Sequence, residues 1–106
     1  MATVPGDPVI TVFRSRLRPE AQAEYESMAQ RMLELASAMP GFVELKTFVA
    51  DDGERVSLVT FADAASHAAW RDHPEHRIAQ RLGRDRFYAS FDISVCRPER
   101  VRRFPE

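Results

Sequence analysis

The order in which two hydrophobic periodicities alternate along the chain limits its fold more than any other feature. Residues 9–17 (VITVFRSRL) are rich in β-branched and aromatic side chains and lie between Pro8 and Pro19, which predicts a strand. Residues 19–39 then repeat apolar side chains at steps of three and four until a Pro-Gly pair ends the pattern. That spacing predicts an amphipathic helix of about five turns.

The next two segments alternate apolar and polar side chains. Residues 41–50 (GFVELKTFVA) form the first predicted strand, in which Phe42 and Phe48 share one face. The turn sequence DDG at 51–53 leads into a second predicted strand at 54–62 (ERVSLVTFA). Together they predict a β-hairpin.

A helical signal and a strand signal complete the pattern. Asp63 is a suitable N-cap for the short helical segment AASHAAW, and Pro74 begins a second helical segment that extends to about Arg86. Residues 87–96 (FYASFDISVC) alternate again and predict a last strand.

The resulting order, βαββαβ, is typical of the ferredoxin-like α+β fold. In that fold a four-stranded antiparallel sheet carries its helices on one face. A length of 106 residues suits one domain. We expect this domain to span residues 8–97, between a flexible N-terminus at 1–7 and a C-terminal tail at 98–106.

Apolar side chains on both faces of the predicted strands bear on assembly. In the first strand, Val9 and Phe13 point to one face. Ile10 and Val12 point to the other, although helices would cover only one face of the sheet. Since the chain has no second layer to cover the open face, we expect a second copy to do so, which predicts a homodimer.

Composition excludes several classes of partner. A net charge of −1 with 44% hydrophobic residues describes an ordinary globular chain and gives no reason to expect nucleic-acid binding. The sequence contains no apolar run long enough to predict a membrane span. Its first residues lack the features of a signal peptide, so a cytoplasmic location is expected. The single cysteine cannot form an internal disulfide.

Four segments carry a resemblance to a known family: MPGFVELKTF, DDGERVSLVTF, AAWRDHPEHRIAQRLGRDRFY and ASFDISVC. Over about residues 8–97 the chain resembles the antibiotic biosynthesis monooxygenases, which are dimeric α+β barrels. The resemblance implies a homodimer with one pocket per subunit between sheet and helices. It also implies an oxidoreductase, a cofactor-independent monooxygenase that acts on a small aromatic, quinol or polyketide-like molecule in a hydrophobic pocket. Many members of the family, however, have no established activity.

Trp70, His73 and His76 are the candidate catalytic residues. Trp70 either forms a pocket wall or fills the edge of the core. Either histidine is a candidate proton relay. Periodicity favours Ile78 and Leu82 as the buried stripe of the last helix, which would place His76 on the opposite, exposed side.

Aromatic and polar residues of the strands are candidates for the substrate cavity. An electron-rich phenol or anthrone reacts with O₂ once it is deprotonated, so its enzyme needs an apolar cavity, a base and a group that stabilises the phenolate. The candidate substrate-binding residues are Phe13, Phe42, Phe48, Phe91, Arg14, Ser15 and Tyr88. The alternative for the phenylalanines is core packing. Arg14 is expected to be buried beside a carboxylate or a ligand, because its neighbours are apolar.

Two alternatives to a cofactor-independent enzyme remain open. Haem-degrading members of the family use a tryptophan, an iron-ligating histidine and an asparagine. Here Trp70 matches, but Gln80 falls at the histidine position and Ser15 near the asparagine position, so no cofactor is expected. Haem is the alternative, with His73 or His76 as iron ligand if the helix is shifted. No metal site is expected either, because a proline separates the two nearest histidines and no further ligands follow. The remaining alternative is a non-catalytic dimeric ligand-binding protein.

Overall fold

The computed structural model describes residues 7–105. Its four strands form one antiparallel sheet in the order β2-β3-β1-β4. The strands are β1 (Val9–Leu17), β2 (Phe42–Val49), β3 (Arg55–Phe61) and β4 (Tyr88–Cys96). This is the ferredoxin-like βαββαβ fold that the sequence predicts. The predicted flexible segment at 1–7 lies, apart from Asp7, outside the described residues.

Three helices connect the strands: α1 (Gln22–Ser37), α2 (Ala64–Arg71) and α3 (Pro74–Leu82). The predicted first helix begins later than expected, because Pro19 lies in a short 3₁₀ turn that precedes α1. The Asp63 carboxylate caps α2 as predicted, accepting a hydrogen bond of 2.8 Å from the Ser66 N–H. After α3 the chain forms a π-helical turn at Gly83–Phe87 before entering β4.

The register of β1 separates the two faces of the sheet. Thr11 and Phe13 point to the helices, and Phe13 pairs with Ser57 of β3 and Ile93 of β4. Residues of even number, beginning with Ile10, point to the open face.

An irregularity in β2 corrects the predicted faces of the hairpin. The register shifts between Phe42 and Glu44, so Phe42 pairs with Phe61 and packs on the helix side. Phe48 lies on the open face and is 48% exposed. The expectation that these two phenylalanines share a face is therefore wrong, because a bulge reverses the alternation.

The core lies where α1 and α2 meet β3. Ala36, Phe61 and Trp70 form its buried centre, and Met32 and Phe42 are among the residues packed around it. Gly41 has φ of +81°, and a side chain there would collide with Ser66 at the start of α2. Close contact between this turn and α2 thus depends on glycine.

The inward face of α3 also differs from the prediction. Ile78 is 54% exposed, whereas His76, Ala79 and Gln80 are turned inward. The expected stripe is wrong at Ile78, whereas Leu82 is half-buried. Because α3 faces a cavity rather than a packed core, its inner residues are polar or small and apolar periodicity does not mark them.

Two further features concern the whole described chain. Residues 97–105, which follow β4, form neither helix nor strand. No helix within residues 7–105 combines the length and apolar character needed to span a membrane.

Candidate functional site

A cavity of about 460 Å³ lies between the helix-covered face of the sheet and the helices. Strands β1 to β4 supply one wall, and α1, α2, α3 and the π-helical turn supply the other. Its surface is mainly aromatic and aliphatic, with a few polar groups placed between them. That composition is typical of small-molecule binding sites.

His76 is the central polar residue of this cavity. Its ring stacks on the Trp70 indole, with centroids 4.0 Å apart and planes 12° apart. Its Nδ1 lies 2.9 Å from the Trp70 carbonyl oxygen. A carbonyl only accepts hydrogen bonds, so Nδ1 carries the proton and Nε2 is left as the basic nitrogen.

Burial keeps this histidine neutral. The pKa of His76 is lowered from its usual value, mainly because burial penalises the imidazolium and further because His73 and His67 lie near. The bond to the Trp70 carbonyl acts in the opposite direction but does not offset burial. At neutral pH the ring is therefore uncharged, with Nε2 free of a proton, beside a largely apolar cavity.

Trp70 satisfies both interpretations left open by the sequence. The residue is 5% exposed and packs in the core cluster with Phe61. It also lines the cavity and carries the His76 ring. The indole therefore both fills the edge of the core and forms a cavity wall.

His73 lies outside the cavity, at the start of α3. Its Nδ1 accepts a hydrogen bond of 3.2 Å from the Glu75 N–H, which makes it the N-cap of that helix. Of the two histidines predicted as proton relays, the structure thus brings only His76 to the cavity. No three His, Cys, Asp or Glu side chains in the described part of the chain are grouped as metal ligands would be.

His67 is a cavity residue that the candidate set missed. Its Nε2 lies 3.1 Å from Thr11 Oγ1, and both residues line the cavity. Burial lowers the pKa of His67, with further contributions from Arg71 and Arg97. The available signal was its position three residues before Trp70, which places both on one side of a helix.

Three predicted residues form an aromatic wall. The Phe13 ring lies 5.2 Å from Tyr88 and 5.6 Å from Phe91, and the last two are 5.8 Å apart. All three line the cavity. The predicted Phe42 and Phe48 do not join them, since one lies in the core and the other on the open face.

Two phenol groups also reach this cavity. Burial raises the pKa of both Tyr25 and Tyr88, so both hydroxyls stay protonated at neutral pH. Neither hydroxyl has a hydrogen-bond partner within residues 7–105. Every fully buried polar side-chain atom in this range does have a partner, so the two hydroxyls are not fully buried. The two hydroxyls therefore reach accessible space as free donors.

Arg14 and Ser15 are placed away from the cavity. Arg14 lies on the open face, where its guanidinium donates a 2.9 Å hydrogen bond to Glu54 and its side chain is 53% exposed. The expectation of a buried guanidinium is wrong, because Arg14 lies on the face of the sheet opposite the helices. Ser15 is buried beneath the helices but does not line the cavity.

Fold and cavity together define a small ferredoxin-like α+β protein with a largely aromatic and aliphatic cavity between sheet and helices. The family model of the antibiotic biosynthesis monooxygenases matches residues 8–82. The chain therefore belongs to the antibiotic biosynthesis monooxygenase family.

Individual proteins also resemble the chain, one in sequence and others in fold. The chain is 32% identical to the uncharacterized protein YqjZ of Bacillus subtilis, over 100% of this chain and 93% of that protein. Its fold matches SnoaB, a cofactor-independent oxygenase from Streptomyces nogalater, with a TM-score of 0.78 at 20% identity over 95% of this chain and 100% of that one. A conserved protein from Methanosarcina mazei gives a TM-score of 0.80 at 12% identity, covering 91% and 97% of the two chains.

Proposed function

We propose that the protein is a monooxygenase that oxidises an electron-rich aromatic molecule, quinol or polyketide-like, without a bound cofactor. The observation that carries the proposal is a neutral His76 with a free basic Nε2 beside an aromatic cavity. The family assignment and the oxygenase activity named for SnoaB support it.

The proposed reaction begins with proton transfer. Nε2 of His76 takes a proton from the bound phenol or anthrone, and the resulting anion is electron-rich enough to reduce O₂ by one electron. The two radicals combine to a peroxide anion, which takes the proton back from His76. Loss of water from this hydroperoxide leaves a new carbonyl, so one oxygen atom enters the product and the other leaves as water.

The chain supplies the surroundings for this chemistry. In this proposal the Tyr25 and Tyr88 hydroxyls, which burial keeps protonated, donate hydrogen bonds to the oxyanion. The wall of Phe13 and Phe91 excludes water and offers ring faces to a planar substrate. In this proposal His67 and Thr11 orient a second polar group of the substrate.

Haem gains no support at the position where the resemblance expects its iron ligand. Gln80, which the resemblance places at the iron-ligand position, donates a 3.1 Å hydrogen bond to the Arg71 carbonyl and so ties α3 to the end of α2. Its amide offers no imidazole nitrogen for iron. No step of the proposed reaction involves haem.

We also propose that the open face of the sheet pairs with the same face of a second copy. The face carries Ile10, Val12, Val56, Leu58 and Phe48. Within residues 7–105 nothing covers it, although such an apolar surface favours burial. The result would be a homodimer with one cavity in each subunit, as the family resemblance implies.

Oxygen uptake with the anthrone dithranol and with simple quinols tests the proposed function. We expect His76→Asn to lower kcat/KM about a hundredfold, the lower end of the range for a lost general base. His73→Asn is the matched control, because asparagine is also a good N-cap and the residue lies outside the cavity, so it should stay within about twofold of wild type. If wild type consumes no O₂ above the uncatalysed rate with any of these substrates, the protein is a ligand-binding protein instead.

A further inference from the structure

The charges around the cavity are of one sign. Arg71 and Arg84 both line it, and among the described residues no aspartate or glutamate does. This imbalance is local, because the whole chain carries a net charge of −1. A cavity lined by cations alone attracts anions and disfavours cations.

Both arginines lie at the entrance. Each lines the cavity and is also exposed, with the Arg71 side chain 60% accessible. Arg71 is already engaged by the neighbouring Asp72, whose two carboxylate oxygens lie 3.1 and 3.2 Å from its guanidinium. Arg84, in the π-helical turn, forms no ion pair or side-chain hydrogen bond with any residue of the range 7–105.

We propose that Arg84 selects ligands that combine an aromatic ring system with an acid group, and that it binds this acid group at the cavity entrance. The ring system would lie on the wall of Phe13, Tyr88 and Phe91, while the anionic group stays close to water. A guanidinium suits this role because it donates two parallel hydrogen bonds to a carboxylate or sulfonate. The inference rests on the proposed function in one respect, since it takes the cavity to be the substrate site.

Two fluorescent probes that differ by one acid group test the proposal. Anilinonaphthalene sulfonate carries a sulfonate, and N-phenylnaphthylamine is the corresponding neutral molecule. Trp70 is the single tryptophan and lines the cavity, so energy transfer from it reports probe binding, and the comparison of two arginine variants locates the acid group. Arg84→Gln removes the proposed contact, and Arg81→Gln is the matched control because Arg81 is exposed on α3 and outside the cavity lining.

We expect Arg84→Gln to weaken sulfonate binding about fivefold, the size of a partly exposed ion pair, and to leave the neutral probe within about twofold. Arg81→Gln should change neither affinity, and added salt should weaken only the sulfonate in wild type. The proposal is overturned if Arg84→Gln and Arg81→Gln bind the sulfonate equally well, or if no protein binds it. It is also overturned if Arg84→Gln weakens the binding of both probes to the same extent. If wild type shows no oxygen uptake but Arg84→Gln still weakens only the binding of the sulfonate probe, the proposed function alone is overturned.

Discussion

Substituting Gly83 by alanine should displace the aromatic wall of the cavity. A Cβ atom at this position would lie 2.6 Å from Cε2 and 3.0 Å from Cδ2 of Tyr88. Carbon atoms pack at about 3.5–4.0 Å, so the ring must move by about 1 Å. Tyr88 contacts Phe13 and Phe91, and the movement would therefore change the shape of the cavity.

The net effect on stability follows from two opposing terms. Gly83 has helical backbone angles, φ −57° and ψ −51°, so alanine gains up to about 1 kcal/mol of helix propensity. Overpacking against the ring costs about 1–3 kcal/mol. We expect a net loss of about 1 kcal/mol, which corresponds to a fall in Tm of about 4–8 °C for a domain of this size.

Thermal unfolding and binding of N-phenylnaphthylamine measure the two consequences. Asp85→Ala introduces the same side chain at an exposed position of the same turn and should leave binding unchanged. A Gly83→Ala protein that melts above wild type and binds the neutral probe normally would refute the reasoning, because the ring would then not be held by this glycine.

Two further expectations concern pH and assembly. The pKa of His76 is lowered, so the unfolded chain binds its proton more readily than the folded one. Stability and kcat/KM should therefore both fall as the pH drops from 6.5, the usual pKa of histidine, through the lower pKa of folded His76. His76→Asn should weaken this pH dependence, and an unchanged pH profile in the variant would contradict the expectation. Phe48→Glu should convert the proposed dimer to a folded monomer, as measured by light scattering. Phe104→Glu should leave the proposed dimer intact, because Phe104 lies in the tail and is 98% exposed. A monomeric wild-type protein would contradict the proposed dimer.

Regular features of the fold were predictable from the sequence. Strand and helix periodicities gave the βαββαβ order, and Asp63 marked the start of α2, because these signals are local. The bulge that turns Phe42 inward was not visible, since it depends on pairing with β3.

The site was predictable only in part. Trp70, Phe13, Tyr88 and Phe91 were found because large aromatic residues favour cavity walls and cores alike. Apolar periodicity predicts an exposed His76, and this prediction fails because a cavity leaves polar residues on the inward face of α3. The tertiary contact between His67 and Thr11 brings together residues 56 positions apart and could not be read from spacing within one element.

The most direct test of the central claim is the fate of isotopically labelled O₂ in the reaction with dithranol. Wild type and His73→Asn should form the oxidised product well above the uncatalysed rate, with one labelled oxygen atom in the product and the other in water. His76→Asn should form it about a hundredfold more slowly. Unlabelled product, or equal rates for the two histidine variants, would contradict the assignment of His76 as the base of a monooxygenase.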